Sequence, residues 1–303
     1  MQIILPSSFR IAVIRGGPSS EYETSLASGG YVLKRLSETH KPLDIFISRD
    51  GQWHINGIER SPDRILNHVD VVWNALHGAT DGTVQDILDR HNILYTGSNR
   101  LSSAIAMNTA LTKERAMKIG VKTPVYAIVR QEDHLATRAK EIFNTMPHPL
   151  IVKPMCGGGS LGMHRVDSFH ELLSSLETVL SEHGSALVEE YIVGKPASCI
   201  VTDHFRGQET YVFPPVGHER TPLSKNEKAH MEHAAKKLHE ELGLSHYSQS
   251  DFVVSPRRGV HFLKVKTVPE THEKSILHHV LETVGVDTVH FIHHLLSLAV
   301  NKN

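Results

Sequence analysis

The sequence predicts an α/β protein, and three observations point to it. Short apolar runs of strand length alternate with amphipathic helical patterns in the N-terminal third. The first run ends in a glycine pair, Gly16 and Gly17, and leads straight into a helical pattern. The C-terminal part carries two hairpin-like segments separated by a long helical pattern. The chain has 303 residues, long enough for two or three compact units.

IAVIR (11–15) is the first strand, and the helical pattern after it runs over residues 25–36. Strand, glycine turn and helix in that order open a nucleotide-binding type of α/β unit. DIFIS (44–48) and VDVVWNAL (69–76) are apolar on both faces, as buried strands of a parallel sheet are. Residues 83–91 are helical, ILYTGS (93–98) is a strand ending in a turn, and residues 101–119 carry two helical stretches. Pro124 opens a second unit. In it PLIVKP (149–154) is a strand, CGGGSLGM (156–163) a glycine-rich loop, residues 167–180 a helix with Asp167 and Ser168 at its N-cap, and ALVEEYI (186–192) a strand. In the third unit residues 197–213 form a hairpin turning at Arg206 and Gly207, and residues 223–242 a long helix. Residues 248–269 form a second hairpin turning over 256–259, and helices over 275–284 and 287–299 close the chain.

Composition narrows the function classes. Hydrophobic residues are 40% and charged residues 21%, ordinary for a globular protein. A net charge of −1, no basic stripe and only 6% aromatic residues argue against a nucleic-acid partner or an anionic membrane surface. No apolar run reaches membrane-spanning length, and the N-terminus lacks the pattern of a signal peptide. Two cysteines, Cys156 and Cys199, make no disulfide framework and suit a reducing cytoplasm. Histidines number 23. The pairs His278–His279 and His293–His294 lie on helical patterns without Cys or HExxH spacing, so solvated faces are expected there rather than a metal site.

Several segments, in order and with consistent spacing, resemble D-alanine–D-alanine ligases of the ATP-grasp superfamily. They are GGPSSEYETSLASG (16–29), NALHGATDGTVQDIL (74–88), YTGSNRLSSAIAMNTALTK (95–113), IVKPMCGGGSLGM (151–163) and LVEEYIVGK (187–195), followed by FPPV (213–216), YSQSDF (247–252) and FLKVKTVP (262–269). The resemblance covers nearly the whole chain. It implies an ATP-grasp fold: a Rossmann-like N-terminal domain over residues 1–100, then two α+β subdomains, central over 101–186 and C-terminal over 187–303, enclosing the nucleotide cleft.

Matching positions imply roles. Lys153 would meet ATP phosphates, as an ammonium at a strand end is suited to do. Gly158 and Ser160, in the glycine loop, would bring backbone N–H groups to those phosphates. Glu189 would meet the adenine region, with Glu190 and Tyr191 in the adjoining linker beside Val188 and Ile192. Glu21 would contact the first D-alanine from a helix N-terminus, where free N–H donors favour a carboxylate. Ordinary complementation of the helix dipole is the alternative for Glu21 and Glu23. His77, followed by Gly78, and Ser275 would also face substrate, and Asp251 would be one ligand of Mg²⁺. ATP, Mg²⁺ and a D-alanine-like small molecule are thus the implied ligands, and a homodimer through the first unit the implied assembly.

The departures from the family pattern gather around the chemistry. The other two Mg²⁺ ligand positions hold Lys264 and Lys266, and residues two apart on a strand share a face. Unscreened, at 4 Å separation and an effective dielectric of 20, each Lys–Mg²⁺ repulsion is roughly 8 kcal/mol, less once the side chains swing away. The arginine that stabilises the transferring phosphate is Gln249, which has no charge to offer. Gly159 stands for an active-site serine, Thr109 for a lysine, Pro196 for a ribose-binding glutamate and Glu270 for a glycine beside the reacting intermediate. HGATDG (77–82) is two residues short. Only residues 217–220 remain where the family carries a lid, and lids exclude water from reactive intermediates. These losses favour a ligase-like pseudoenzyme kept for binding, regulation or scaffolding. An active ligase joining two D-alanines through an acyl-phosphate is the alternative, and a ligase for another acid and amine the third reading.

Overall fold

The computed structural model describes residues 5–6, 9–78, 82–157, 162–218 and 221–301. The N-terminal part runs β1 (Ile11–Gly16), α1 (Tyr22–Leu36), β2 (Leu43–Ile47), β3 (Trp53–Ile55), β4 (Ile58–Glu59), α2 (Pro62–Leu66), β5 (Val71–Asn74), α3 (Thr83–Arg90), β6 (Leu94–Tyr95) and α4 (Arg100–Met107). Its six strands form one sheet in the order β4-β3-β2-β1-β5-β6. β2, β1, β5 and β6 are parallel, which suits strands apolar on both faces. Gly16 ends β1 with φ 93°, and a Cβ there would overlap the carbonyl oxygen of Ile47 on the neighbouring strand. Only glycine lets the chain leave the sheet at this point and enter α1.

The middle part runs α5 (Thr109–Lys118), β7 (Tyr126–Arg130), α6 (Leu135–Thr145), β8 (Leu150–Pro154), β9 (His164–Val166), α7 (Phe169–His183) and β10 (Ser185–Glu190), with strand order β7-β10-β8-β9. Ser168 caps α7 in a capping box with Glu171, and Gly184 at φ 69° stops the helix. The last part runs β11 (Lys195–Phe205), β12 (Gln208–Val212), β13 (Val216–Gly217), α8 (Lys225–Glu241), β14 (Tyr247–Ser255), β15 (Gly259–Lys266), α9 (Ile276–Thr283) and α10 (Thr288–Val300). Its sheet orders β12-β11-β14-β15, with β13 also on β11. Arg206 and Gly207, both at positive φ, make the tight turn between β11 and β12. The architecture is the ATP-grasp fold that the resemblance implies.

One core joins the two ends of the chain. Val13, Val71 and Trp73 of the first sheet pack on Leu281, Phe291 and Leu295 of the closing helices, on Phe213 just past β12, and on Tyr247 of β14. Among the described residues no single helix is long and apolar enough to cross a membrane, and α9 and α10 meet at 109°.

Some expectations need correction. The β3–β4 hairpin, α2, β7 and α6 carry no clear sequence signal. The first three are two to five residues long, and α6 buries only Ala139 and Ile142, too thin a stripe to show periodicity. α1 starts earlier than residue 25, at Tyr22. The expected solvated histidines are also not all solvated. His279 is exposed, but His278 is half-buried beside the Tyr31 hydroxyl (3.3 Å), and His294 is half-buried with Nε2 2.8 Å from the Asp203 carbonyl. α10 is largely apolar, so His293 and His294 lie partly against the core, while His290 on the same helix is exposed.

Candidate functional site

A cleft of about 930 Å³ lies between the second and third sheets, within the size range of small-molecule sites. Lys153 and Glu189 line it from one side, Gln249, Asp251, Lys264 and Lys266 from the other, and Glu21 and Glu270 at one end. A recess of about 40 Å³ shares Glu21, Lys264 and Lys266 and reaches His77 and Gly78.

On the first side, Glu189 stands opposite Ile151 in the β10–β8 register, which sets Lys153 diagonally across on the same face. The Glu189 carboxylate takes two ammonium groups. Lys153 Nζ is 2.7 Å from Oε2, and Lys113 Nζ is 2.9 Å from Oε1. Lys113 comes from α5, one turn after Thr109, and is fully buried. Burial pushes its pKa down to about 8, with Glu189 opposing the shift. Burial pulls the Glu189 carboxyl upward, yet Lys113 and Lys153 together hold it below the usual range. Next in the chain, Glu190 is engaged elsewhere: Arg258 donates two hydrogen bonds to it, at 2.6 and 2.8 Å, and Val125 N–H a third at 2.9 Å. Tyr191 lies exposed at the rim, with the Arg165 guanidinium 4.9 Å over its ring.

On the facing side, the β14–β15 register sets Asp251 against Lys264 and Gln249 against Lys266. Asp251 Oδ1 already accepts two hydrogen bonds, from Ser198 Oγ at 2.6 Å and Gln249 Nε2 at 2.8 Å. Ser198 gives its only hydroxyl proton to Asp251, so the 2.8 Å contact with His218 Nε2 is a donation from the imidazole. Lys266 Nζ donates to Glu270 Oε1 at 2.7 Å, and His272 Nε2 lies 3.2 Å from the other oxygen. Burial opposes the Lys266 charge, but Asp251 and Glu270 outweigh it and raise the pKa. Lys264 is lowered, first by burial and then by Lys266 and Lys153, against the pull of Asp251 and Glu21. The acid at position 270 is thus tied to a lysine four residues away.

Glu21 is the N-cap residue of α1, but its side chain makes no capping hydrogen bond and lines the cleft instead. Burial raises its pKa, while Lys266 and Lys264 restrain the rise. A Cβ at Gly78 would sit 2.7 Å from Glu21 Oε2, so glycine makes room for the carboxylate. Glu23, by contrast, is a surface acid paired with Arg49 at 3.0 Å, as dipole complementation suggests. His77 is buried behind this end with Nε2 3.0 Å from Ser28 Oγ, and burial pushes its pKa down to about 4, keeping it neutral.

Comparison with known proteins places this architecture. The family model described as D-ala D-ala ligase C-terminus matches residues 116–221. The chain is 31% identical to the D-alanine--D-alanine ligase of Geobacter sulfurreducens, over 88% of this chain and 86% of that protein. It is 30% identical to D-alanine--D-alanine ligase B of Pseudomonas syringae pv. tomato, over 93% of this chain and 90% of the relative. The chain belongs to the D-alanine–D-alanine ligase family. Among solved structures, the Bacillus anthracis D-alanine--D-alanine ligase complexed with ATP aligns with a TM-score of 0.82 at 25% identity, covering 97% of this chain and 98% of that one. The VanG D-Ala:D-Ser ligase of Enterococcus faecalis shares the fold, with a TM-score of 0.85 at 24% identity and coverage of 96% and 99%.

Set in the ligase family, the expected site residues divide. Lys153, Glu189, Glu21, Asp251, Lys264, Lys266, Gln249 and Glu270 meet in one cleft. Ser275 does not line it: the residue is buried, and its Oγ caps α9 by accepting from His278 N–H at 3.1 Å. Gly158, Gly159 and Ser160 lie outside the described residues, as do residues 79–81 of the shortened His-Gly segment. Where the family has its lid, β13 continues onto β11 and Thr221 N–H closes back on the His218 carbonyl at 3.0 Å. Three residues escaped sequence reasoning. Lys113 follows Thr109 at helical i+4 spacing, a readable signal. Ser198 meets Asp251, and His218 meets Ser198, only through strand pairing, and nothing local announces them.

Proposed function

We propose that this member of the ligase family is a ligase-like pseudoenzyme, whose cleft holds a nucleotide or a D-alanine-like small molecule without efficient ligation. One observation carries the reading. Asp251, the remaining acid at the family's metal face, has one oxygen occupied by Ser198 and Gln249 and stands across from Lys264, with Lys266 beside it. Mg²⁺ asks for near-octahedral oxygen ligands, and this face offers one partly used carboxylate and two ammonium groups. The donor set does not fit the ion, and phosphoryl transfer from ATP relies on it. The neutral Gln249 supplies no charge to a transferring phosphate. Binding groups remain: Lys153 for anionic oxygens, Glu189 as an acceptor for an amino group, and Glu21 at the recess. The reading carries with it a role near peptidoglycan precursor synthesis, a cytoplasmic setting and a homodimer.

The test incubates the protein with ATP, Mg²⁺ and D-alanine, follows phosphate release, and measures nucleotide binding by calorimetry. Binding with no D-alanine-dependent phosphate release is the expected outcome. Robust D-alanine-dependent release overturns the proposal in favour of an active ligase.

A further inference from the structure

We infer that the cleft takes a polyphosphate chain, such as that of a nucleoside triphosphate, in its metal-free form, with Lys153, Lys264 and Lys266 standing in for the divalent cation. The inference deepens the proposed function and rests on its premise that the cleft holds a nucleotide.

Placement is the first argument. Lys264 and Lys266 lie two apart on β15 and share one face, while Lys153 comes from the end of β8 in the facing sheet. All three line the same cleft, and Lys264 is within electrostatic reach of both others. Ammonium groups gathered on both walls of a partly buried cleft repel one another, and an anion between them relieves that repulsion.

The second argument is valence. Each ammonium has three N–H donors. Lys266 keeps Glu270 with one of them and has two left for phosphate oxygens. Lys153 likewise keeps Glu189 while donating elsewhere. Asp251 then serves as a fixed counter-charge that positions the lysines, itself held in place by Ser198 and Gln249. The arrangement is acid, ammonium, phosphate, where a metal site has acid, metal, phosphate.

The third argument concerns Mg²⁺ in solution. A magnesium–nucleotide complex carries two fewer negative charges than the free nucleotide and brings a cation toward two ammonium groups that give it no oxygen ligand. Excess Mg²⁺ therefore weakens binding.

The experiment is calorimetry on the full chain with ATP, in EDTA and in excess Mg²⁺, with tripolyphosphate and adenosine as separate probes. ATP is expected to bind in EDTA, tripolyphosphate to compete with it, and adenosine to bind far more weakly. Excess Mg²⁺ is expected to weaken ATP binding about tenfold, equal to about 1.4 kcal/mol. Tighter binding with Mg²⁺, adenosine binding as tight as ATP, or failure of tripolyphosphate to compete each overturns the metal-free inference and leaves nucleotide binding standing. Absence of ATP binding in both buffers overturns both. The double variant Lys264→Glu with Lys266→Asn, checked for folding by circular dichroism, is expected to make ATP binding depend on Mg²⁺. If that variant folds and still binds metal-free ATP like the parent, the inference fails. If it does not fold, Lys264→Met alone is expected to weaken ATP binding in EDTA about tenfold, and unchanged binding overturns the inference.

Discussion

Replacing Glu189 by Gln removes the charge that the buried Lys113 and the partly buried Lys153 share. Lys113 and Lys153 reach it at 2.9 and 2.7 Å, and the carboxylate is 4% exposed. Removing one member of a buried ion pair costs about 3–5 kcal/mol in general. Here Lys113 limits the loss, because its pKa is already down to about 8. At pH 7 it sheds its proton for about 1.4 kcal/mol. Lys153, on the cleft wall, loses a charge-assisted bond worth about 1.5–3 kcal/mol and turns toward solvent. The expected destabilisation at pH 7 is therefore about 3–4 kcal/mol. Its pH dependence has a definite sign. The folded pKa of Lys113 lies below its ordinary value, so the parent gains stability as pH rises through about 8. Without Glu189 that deprotonation moves lower, so the variant gains first and its deficit narrows as pH rises toward about 8. At strongly acid pH the deficit closes again, because the depressed Glu189 pKa makes its contribution vanish as pH falls through it. Thermal unfolding of both proteins across this range, followed by circular dichroism, checks the argument. A variant as stable as the parent at pH 7, or a deficit that widens toward pH 8, refutes it.

Two further substitutions probe the frame of the site. Gly16→Ala places a side chain at φ 93° and against the Ile47 carbonyl, and is expected to cost at least about 1–3 kcal/mol in chemical denaturation. A midpoint unchanged from the parent would show that the β1–α1 turn relaxes freely. Arg258→Met leaves the buried Glu190 carboxylate with the Val125 N–H alone, at a cost of about 1–3 kcal/mol, toward the lower figure because Arg258 is half exposed. Arg258 holds the Glu190 pKa below its ordinary value, so this loss should fade as pH falls through the acid range. Equal destabilisation at neutral and acid pH would argue that the loss is one of packing.

The strands and helices that build the cleft were legible because burial repeats along them. IAVIR and VVWN are apolar on both faces and became central parallel strands. Ser168 and Ser224 each precede a Glu at the third helical position, and both form capping boxes. The lysines at 264 and 266 were legible as a shared face, since strand alternation needs no tertiary information. The roles of other residues were not. Ser275 reads as a ligand-facing serine, and only the structure shows that its Oγ is also the N-cap of α9, accepting the His278 N–H. Glu190 reads as part of a linker but is claimed by Arg258, 68 positions away.

The amino-acid sequence alone sets the order of the longer elements, the fold they belong to, and which residue types stand at the metal face. These follow from local periodicity, turn chemistry and family spacing. Only the tertiary structure decided how the charges are settled. Lys113 meets Glu189, Ser198 holds Asp251, and Arg258 holds Glu190. In a partly buried cleft each charge must find a partner, and that partner is chosen by which strands and helices pack together rather than by which residues are neighbours in the chain.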